Sequence, residues 1–294
     1  MPDHLLPPFL NLLTALREFV TVSGTQSQQH IRPIHRSVAS RLVLEGGFRP
    51  DEITPHPPLK LVNKGGSNFL HFDTALETSA EMTVLGGLKS KDVDVVVAKA
   101  GIGPVVAVSV KGTGNAFRNL TNRMEEAVGD STNLHIMYPA LVYGFLHFMR
   151  ANQDGLSDLA PNDIAVSQGG DVVPAIRRYH DVLLGLAGRR LVRDDITRYE
   201  AVAIGLVNPH PPCIGVLRAD FPPPDSPLKV TRFFDTLYGT YDLRFPYVAT
   251  SVPSLRRLEW DTESPALESI RSAGGFESVL GYAPRPSLTD PIFP

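Results

Sequence analysis

A chain of 294 residues that is 43% hydrophobic and 20% charged can bury a core of its own, which excludes a disordered tail, a fibre or a disulfide mini-protein. Twenty-eight Lys and Arg against 31 Asp and Glu leave a formal charge of −3, too near neutrality for a nucleic-acid coat protein or a polybasic membrane binder. The single cysteine, Cys213, excludes an internal disulfide or a Cys-based zinc site and points to a reducing, cytoplasmic compartment.

The opening MPDHLLPPFLNLLTALREFV is apolar, but Pro7, Pro8, Arg17 and Glu18 interrupt it before membrane-spanning length. It reads as an amphipathic helix with Phe9, Leu12, Leu13 and Leu16 on one stripe, forming an N-terminal unit over residues 1–25. No other uncharged run reaches spanning length, so no membrane partner is expected. The polar stretch from Gly24 to Gln29 marks a boundary, and HRSVASRLVLEG predicts a second helix stopped by Gly46 and Gly47. DEITPHPPLK is a loop; a short apolar segment follows at Phe69–Phe72, then a helix over Ala75–Met82, with Gly86 and Gly87 as the next break.

The middle of the chain is the most patterned. DVDVVVAKAGIGPVVAVSVKG predicts two β-branched strands, about Val93 to Lys99 and Val105 to Lys111, joined by a Gly-Ile-Gly-Pro turn as an antiparallel hairpin. A helix is expected from about Asn115 to Val128, stopped by Gly129; Asp130–Asn133 would then cap a buried apolar helix over Tyr138–Met149. Beyond Asn152, DVVPAIRRYHDVLLGLAGR predicts a helix and VAIGLVN and IGVLRAD predict strands, while the segment from Phe221 onward is rich in proline. Residues 26–155 form the core on this reading, and 156–294 complete the sheet and carry target recognition.

Period-two alternation places Ser109 and Lys111 on one face of the second strand and Val106, Val108 and Val110 on the other. Asp94 precedes three valines on the neighbouring strand, so an acid and an amine meet on a buried sheet, where neither belongs unless paired or functional. Asp92 is its rival and would share its face. On the following helix, a stripe of Phe117, Leu120, Met124 and Val128 puts Glu125 a quarter-turn from the apolar centre and Glu126 nearly opposite.

An Asp, a turn and a strand ending in acid-x-Lys resembles the core of the PD-(D/E)xK nuclease superfamily. The resemblance runs from about Glu77 to Glu126 and implies an α/β fold with a restriction-endonuclease-like mixed central sheet flanked by helices. This chain departs from the pattern at Ser109-Val110-Lys111, where a serine stands for the acid. One subgroup of tetrameric restriction enzymes also has Ser-x-Lys and takes its second carboxylate from the next helix, thirteen intervening residues after the lysine. Here that count arrives at Glu125. The interval from Asp94 to Lys111 is shorter than in that subgroup.

The resemblance implies metal-assisted hydrolysis of DNA phosphodiester bonds. Asp94 and Glu125 would hold Mg²⁺, with Mn²⁺ as a substitute, Lys111 would orient or help deprotonate the attacking water, and Ser109 would be an outer ligand. Glu77 and Glu81 are candidates for a further carboxylate, and Asn115, Arg118, Asn119 and Arg123 for contacts to phosphates or base edges. It also implies a homo-oligomer, dimer or tetramer, of restriction or phage-defence type; the competitors are a repair or recombination nuclease and a non-catalytic nucleic-acid-binding or assembly module.

Each residue also has a plainer reading. An Asp at a strand start is often a turn residue, a Lys at a strand end often reaches solvent, and Arg118, Arg123, Glu125 and Glu126 suit an ordinary solvated helix face. KGTG lacks the order of a phosphate-binding loop, leaving its glycines to free the backbone for a nucleic-acid phosphate. His30 and His35, beside Arg32, Arg36 and Arg41, suggest a basic helix meeting DNA phosphates or water. Neither H-E-x-x-H nor G-x-S-x-G occurs, and Trp260 suits packing as well as base stacking.

Overall fold

The valine-rich middle of the chain folds as its pattern predicts, into an antiparallel pair of β6 (Val95–Lys99) and β7 (Gly103–Thr113). A computed structural model describes residues 6–22, 28–115, 117–155, 159–247, 249 and 251–285. The architecture is α/β. Five strands form a mixed sheet in the order β1 (Ile53–Thr54), β6, β7, β8 (Val142–Arg150) and β9 (Ala201–Val207). Strand β6 runs antiparallel to both β1 and β7, whereas β8 is parallel to β7 and β9 is parallel to β8. Two hairpins stand apart from this sheet: β2 (Leu59–Lys64) with β3 (Ser67–Phe72), and β4 (Met82–Leu85) with β5 (Ser90–Val93).

Helices cover both faces of the main sheet. On one face, α1 (Leu12–Thr21), α2 (Arg32–Leu44), α5 (Val230–Arg244) and α6 (Pro265–Ser272) pack against Val95, Val97, Val106, Val108, Leu146 and Ala203. On the other, α3 (Leu120–Met137) and α4 (Pro174–Leu186) pack against Val96, Ala107, Tyr143, Phe145, Val202 and Ile204. The short α7 (Phe276–Leu280) closes the described chain beside α6. α1 belongs to the same core as the sheet. The expected boundary after it falls mostly on residues 23–27, outside the described residues.

Several predicted elements are corrected. Tyr138–Met149 is not a helix: β8 is buried on both faces, so its run is almost wholly apolar and carries no periodicity to separate helix from strand. The helix expected at Asn115–Val128 starts at Leu120 and runs through Gly129 to Met137. Gly129 costs such a helix only about 1 kcal/mol, and the polar residues taken for caps find tertiary partners instead. Asp130 pairs with Lys91 at 2.8 Å, the Ser131 hydroxyl donates to the Arg198 carbonyl, and Asn133 Nδ2 donates to the Lys89 carbonyl. The predicted helix at Ala75–Met82 is a single 3-10 turn, Thr74–Leu76, and IGVLRAD contributes one bridge, Val207 to Leu217, rather than a strand. The stop at Gly46 and Gly47 holds, because Gly47 takes φ +70° where the chain leaves α2.

The first of the two KGTG glycines, Gly112, has a packing role. A Cβ on Gly112 would meet Phe19 Cε2 at 2.7 Å and Ile31 Cγ1 at 3.1 Å, so the bare backbone lets α1 and the start of α2 lie against β7. Gly112→Val should therefore overpack this contact and cost about 1–3 kcal/mol, read as a lower thermal midpoint by circular dichroism. An unchanged midpoint would contradict that packing role. Trp260 is fully buried, and its Nε1 donates to the Val43 and Leu44 carbonyls at the end of α2, which settles it as a packing residue.

Candidate metal centre

The chain bends at Asp94, where it leaves the β4–β5 hairpin and enters the main sheet. Val95 pairs with Val108, so the Asp94 carboxylate lies opposite the next stretch of β7. Its Oδ2 accepts the Val110 amide at 2.7 Å and the Ser109 hydroxyl at 3.2 Å, and Lys111 Nζ lies 3.9 Å away. Asp94 is buried and Lys111 half-buried. Ser109 thus acts as a donor that aims the carboxylate. The rival Asp92 is exposed and accepts the Thr83 hydroxyl at 2.6 Å within its own hairpin.

Two further groups converge on Asp94. Glu81, half-buried in the extended stretch before β4, and His35, on the first turns of α2, each offer a ligand atom; these and an Asp94 oxygen all lie within 4.8 Å of one another. His35 Nε2 is 3.6 Å from Asp94 Oδ1, too far for a hydrogen bond, and has no hydrogen-bond partner among the described residues. Burial, with the nearby charges of Lys111 and Arg32, holds the His35 imidazole below its ordinary pKa against the opposing pull of Asp94. It is therefore neutral at pH 7, the form that binds metals. Partial burial and the Asp94 charge push the Glu81 carboxyl up, with Lys111 working the other way. Two crowded carboxylates and an orphaned buried imidazole nitrogen form a donor set that a divalent cation fits, since it would relieve the repulsion and satisfy the nitrogen. Glu77 is not part of the cluster; it faces Arg36 at 3.2 Å.

The acid expected from the following helix is not brought here. The buried residues of α3 are Leu120, Ala127, Asp130, Ser131, Asn133, Leu134 and His135. Glu125 lies roughly 160° from the Ala127–Leu134 stripe and is exposed, whereas Glu126 flanks it and is half-buried, the reverse of the sequence expectation. The cause is a phase error: the apolar stripe leaned on Met124 and Val128, which are only half-buried, whereas the buried face centres on Ala127 and Leu134 and includes the polar Asp130 and Ser131, roughly 60–70° round the helix. Burial works against ionisation of Glu126, but its 2.6 Å hydrogen bond from Arg123 and the charges of Lys111 and Lys91 hold its carboxyl below the usual range. Arg123, Asn115 and Asn119 are exposed; the side chain of Arg118 lies outside the described residues.

Next to Lys111 in the sheet register is His147, fully buried between Thr113 Oγ1 at 2.8 Å and the Tyr179 hydroxyl at 2.7 Å. Burial, aided by the charges of Arg123 and Lys111, lowers its pKa to about 3, so the floor beside the lysine is uncharged. His30 and His35 do not form a basic surface. Both are buried, and His30 packs on Phe19 with ring centroids 5.7 Å apart.

Elsewhere, Ser226 Oγ lies 2.9 Å from His180 Nε2, whose Nδ1 lies 3.0 Å from Asp181. The line-up resembles a nucleophile relay. However, Ser226 is buried, and its oxygen also accepts the Leu228 amide, which marks it as a turn cap ahead of α5. No described helix is long and apolar enough to cross a membrane. No protein family, curated protein or solved structure matches the chain.

Proposed function

We propose that the protein is a divalent-metal-dependent DNA endonuclease of PD-(D/E)xK type, acting in the cytoplasm as a restriction or phage-defence enzyme and as a dimer or tetramer. The observation that carries this reading is the meeting, at one end of the β6–β7 hairpin, of the Asp94 carboxylate, the Lys111 amine 3.9 Å away and the Glu81 carboxylate. The mixed sheet, with helix α3 linking β7 to the parallel β8, is compatible with a restriction-endonuclease-like core.

Asp94 and Glu81 would hold the cation, Glu81 replacing the carboxylate that Glu125 does not bring and that Ser109 lacks. When bound, Mg²⁺ or Mn²⁺ supplies Lewis-acid polarisation of the phosphoryl group and a more acidic water. Lys111 orients the attacking water by hydrogen bonding, while the Val110 amide and Ser109 hydroxyl keep the Asp94 carboxylate fixed. Arg123, Asn115 and Asn119 are the exposed donors available to phosphates and base edges on the helical side.

The test is digestion of several plasmids of known sequence by purified protein, with Mg²⁺, with Mn²⁺ and with chelator. Cleavage that needs the ion is expected; no cleavage with either ion overturns the reading. Discrete fragments would place the enzyme with restriction, and nicking confined to branched DNA with repair. Ser109 in the acid position favours one second reading, a binding module that kept the fold, which would retain DNA without cutting it.

A further inference from the structure

Resting on the nuclease reading above, we infer that His35 is a metal ligand and that the centre is built for a nitrogen-accepting transition ion, Mn²⁺, in preference to Mg²⁺. Three observations carry this. The imidazole is only 4% exposed, so its nitrogen cannot be satisfied by bulk water. Nε2 has no hydrogen-bond partner among the described residues, and a polar atom left so in the interior costs about 1–3 kcal/mol. It is aimed at the gap between Asp94 and Glu81, where ligand atoms from all three residues lie within 4.8 Å.

The helix is fixed in that pose. Ile34, Val38 and Leu42 bury α2 in the core, Pro33 opens its first turn, and Arg36 ties it to Glu77. His35 thereby approaches the start of β6 from the opposite face of the sheet to α3, so the three donors come from a helix, a connection before β4 and the bend that leads into β6. One imidazole and two carboxylates leave coordination positions free for water and a phosphoryl oxygen. Mg²⁺ prefers an all-oxygen shell and keeps its waters, whereas a first-row transition ion gains from the nitrogen.

Pulsed EPR on the full-length protein loaded with Mn²⁺ should show ¹⁴N coupling from a coordinated imidazole. Titration calorimetry should give Mn²⁺ binding at least about tenfold tighter than Mg²⁺. His35→Ala should abolish the ¹⁴N signal and weaken Mn²⁺ by about 10–100-fold while changing Mg²⁺ affinity far less. His35→Asp, which offers oxygen for nitrogen, should narrow the preference towards Mg²⁺. The wild-type spectrum alone decides the ligand if either variant fails to fold. Absence of ¹⁴N coupling, or equal affinity for the two ions, overturns the inference. Ion-dependent cutting without that coupling removes His35 from the centre and leaves the nuclease standing; coupling without cutting of any DNA does the reverse.

Discussion

Asp94→Asn should lower the rate of plasmid cleavage at saturating metal by about 10³-fold, roughly 4 kcal/mol of transition-state stabilisation, and Lys111→Ala should do the same. Asparagine is the informative change. Its amide oxygen can still accept the Val110 amide and the Ser109 hydroxyl, the two bonds that seat the side chain, so only the negative charge is removed. Asp94→Ala would instead leave the Val110 amide unpaired in a buried place and mix folding with chemistry. Thermal midpoints within a few degrees of the parent and DNA affinity within about threefold, measured without metal, are expected for both variants. Cleavage at the parental rate by Asp94→Asn would remove this residue from the reaction.

Glu200→Gln should be the most destabilising of these substitutions, by about 3–5 kcal/mol, although the residue is not among those that meet at Asp94. Glu200 is fully buried at the start of β9. Its Oε1 accepts Arg189 Nη1 at 2.7 Å and Arg244 Nη1 at 2.6 Å, and Oε2 accepts the Tyr143 amide at 2.7 Å and lies 3.3 Å from His135. One carboxylate therefore ties the connection before β9, the helices α3 and α5, and the start of strand β8 into a single charged node. Neutralising it strands two guanidinium groups that cannot shed their protons. Burial alone would push the Glu200 carboxyl up, yet the hydrogen bonds and charges of His135, Arg244 and Arg189 together hold it below the ordinary value. A depressed folded-state pKa contributes stability that is present above the unfolded value, about 4.3, and is lost as the pH falls through the folded one. Denaturant melts of parent and Glu200→Gln should thus differ most near neutrality and converge in acid. A pH-independent difference would contradict the charged node.

How much of this could be read from the residues alone depends on whether the chain carried a period. The β6–β7 hairpin, and the placing of Asp94, Ser109 and Lys111 on one side of it, were legible because β7 alternates valine with other residues, Asp94 directly precedes the valine run of β6, and a glycine turn joins the two. The strand β8 was not, since both of its faces are covered. Glu125 was chosen over Glu126 from an apolar stripe through Met124 and Val128, but the buried face of α3 is partly polar, with Asp130, Ser131 and Asn133 inside, and lies roughly 60–70° away at about 100° per residue. Glu81 was named as a further carboxylate, but on a helix that the chain does not form. His35 was misread as surface. The signal was present: it stands three and seven residues before Val38 and Leu42, all of them buried in α2. What no spacing could convey is that this stripe ends beside the start of β6.

The ligand atoms of the cluster at Asp94, with Ser109 and Lys111 beside it, come from residues 35 to 111, while Tyr143 and His147 of β8 border it. The later half of the chain supplies burial, charge compensation and surface. On the proposed function, chemistry and target choice are inherited as separable portions. Drift or laboratory randomisation of the exposed positions after β8 can then diversify the sequences attacked while the machinery for attack passes on unaltered, provided the buried Glu200 just ahead of β9 is kept.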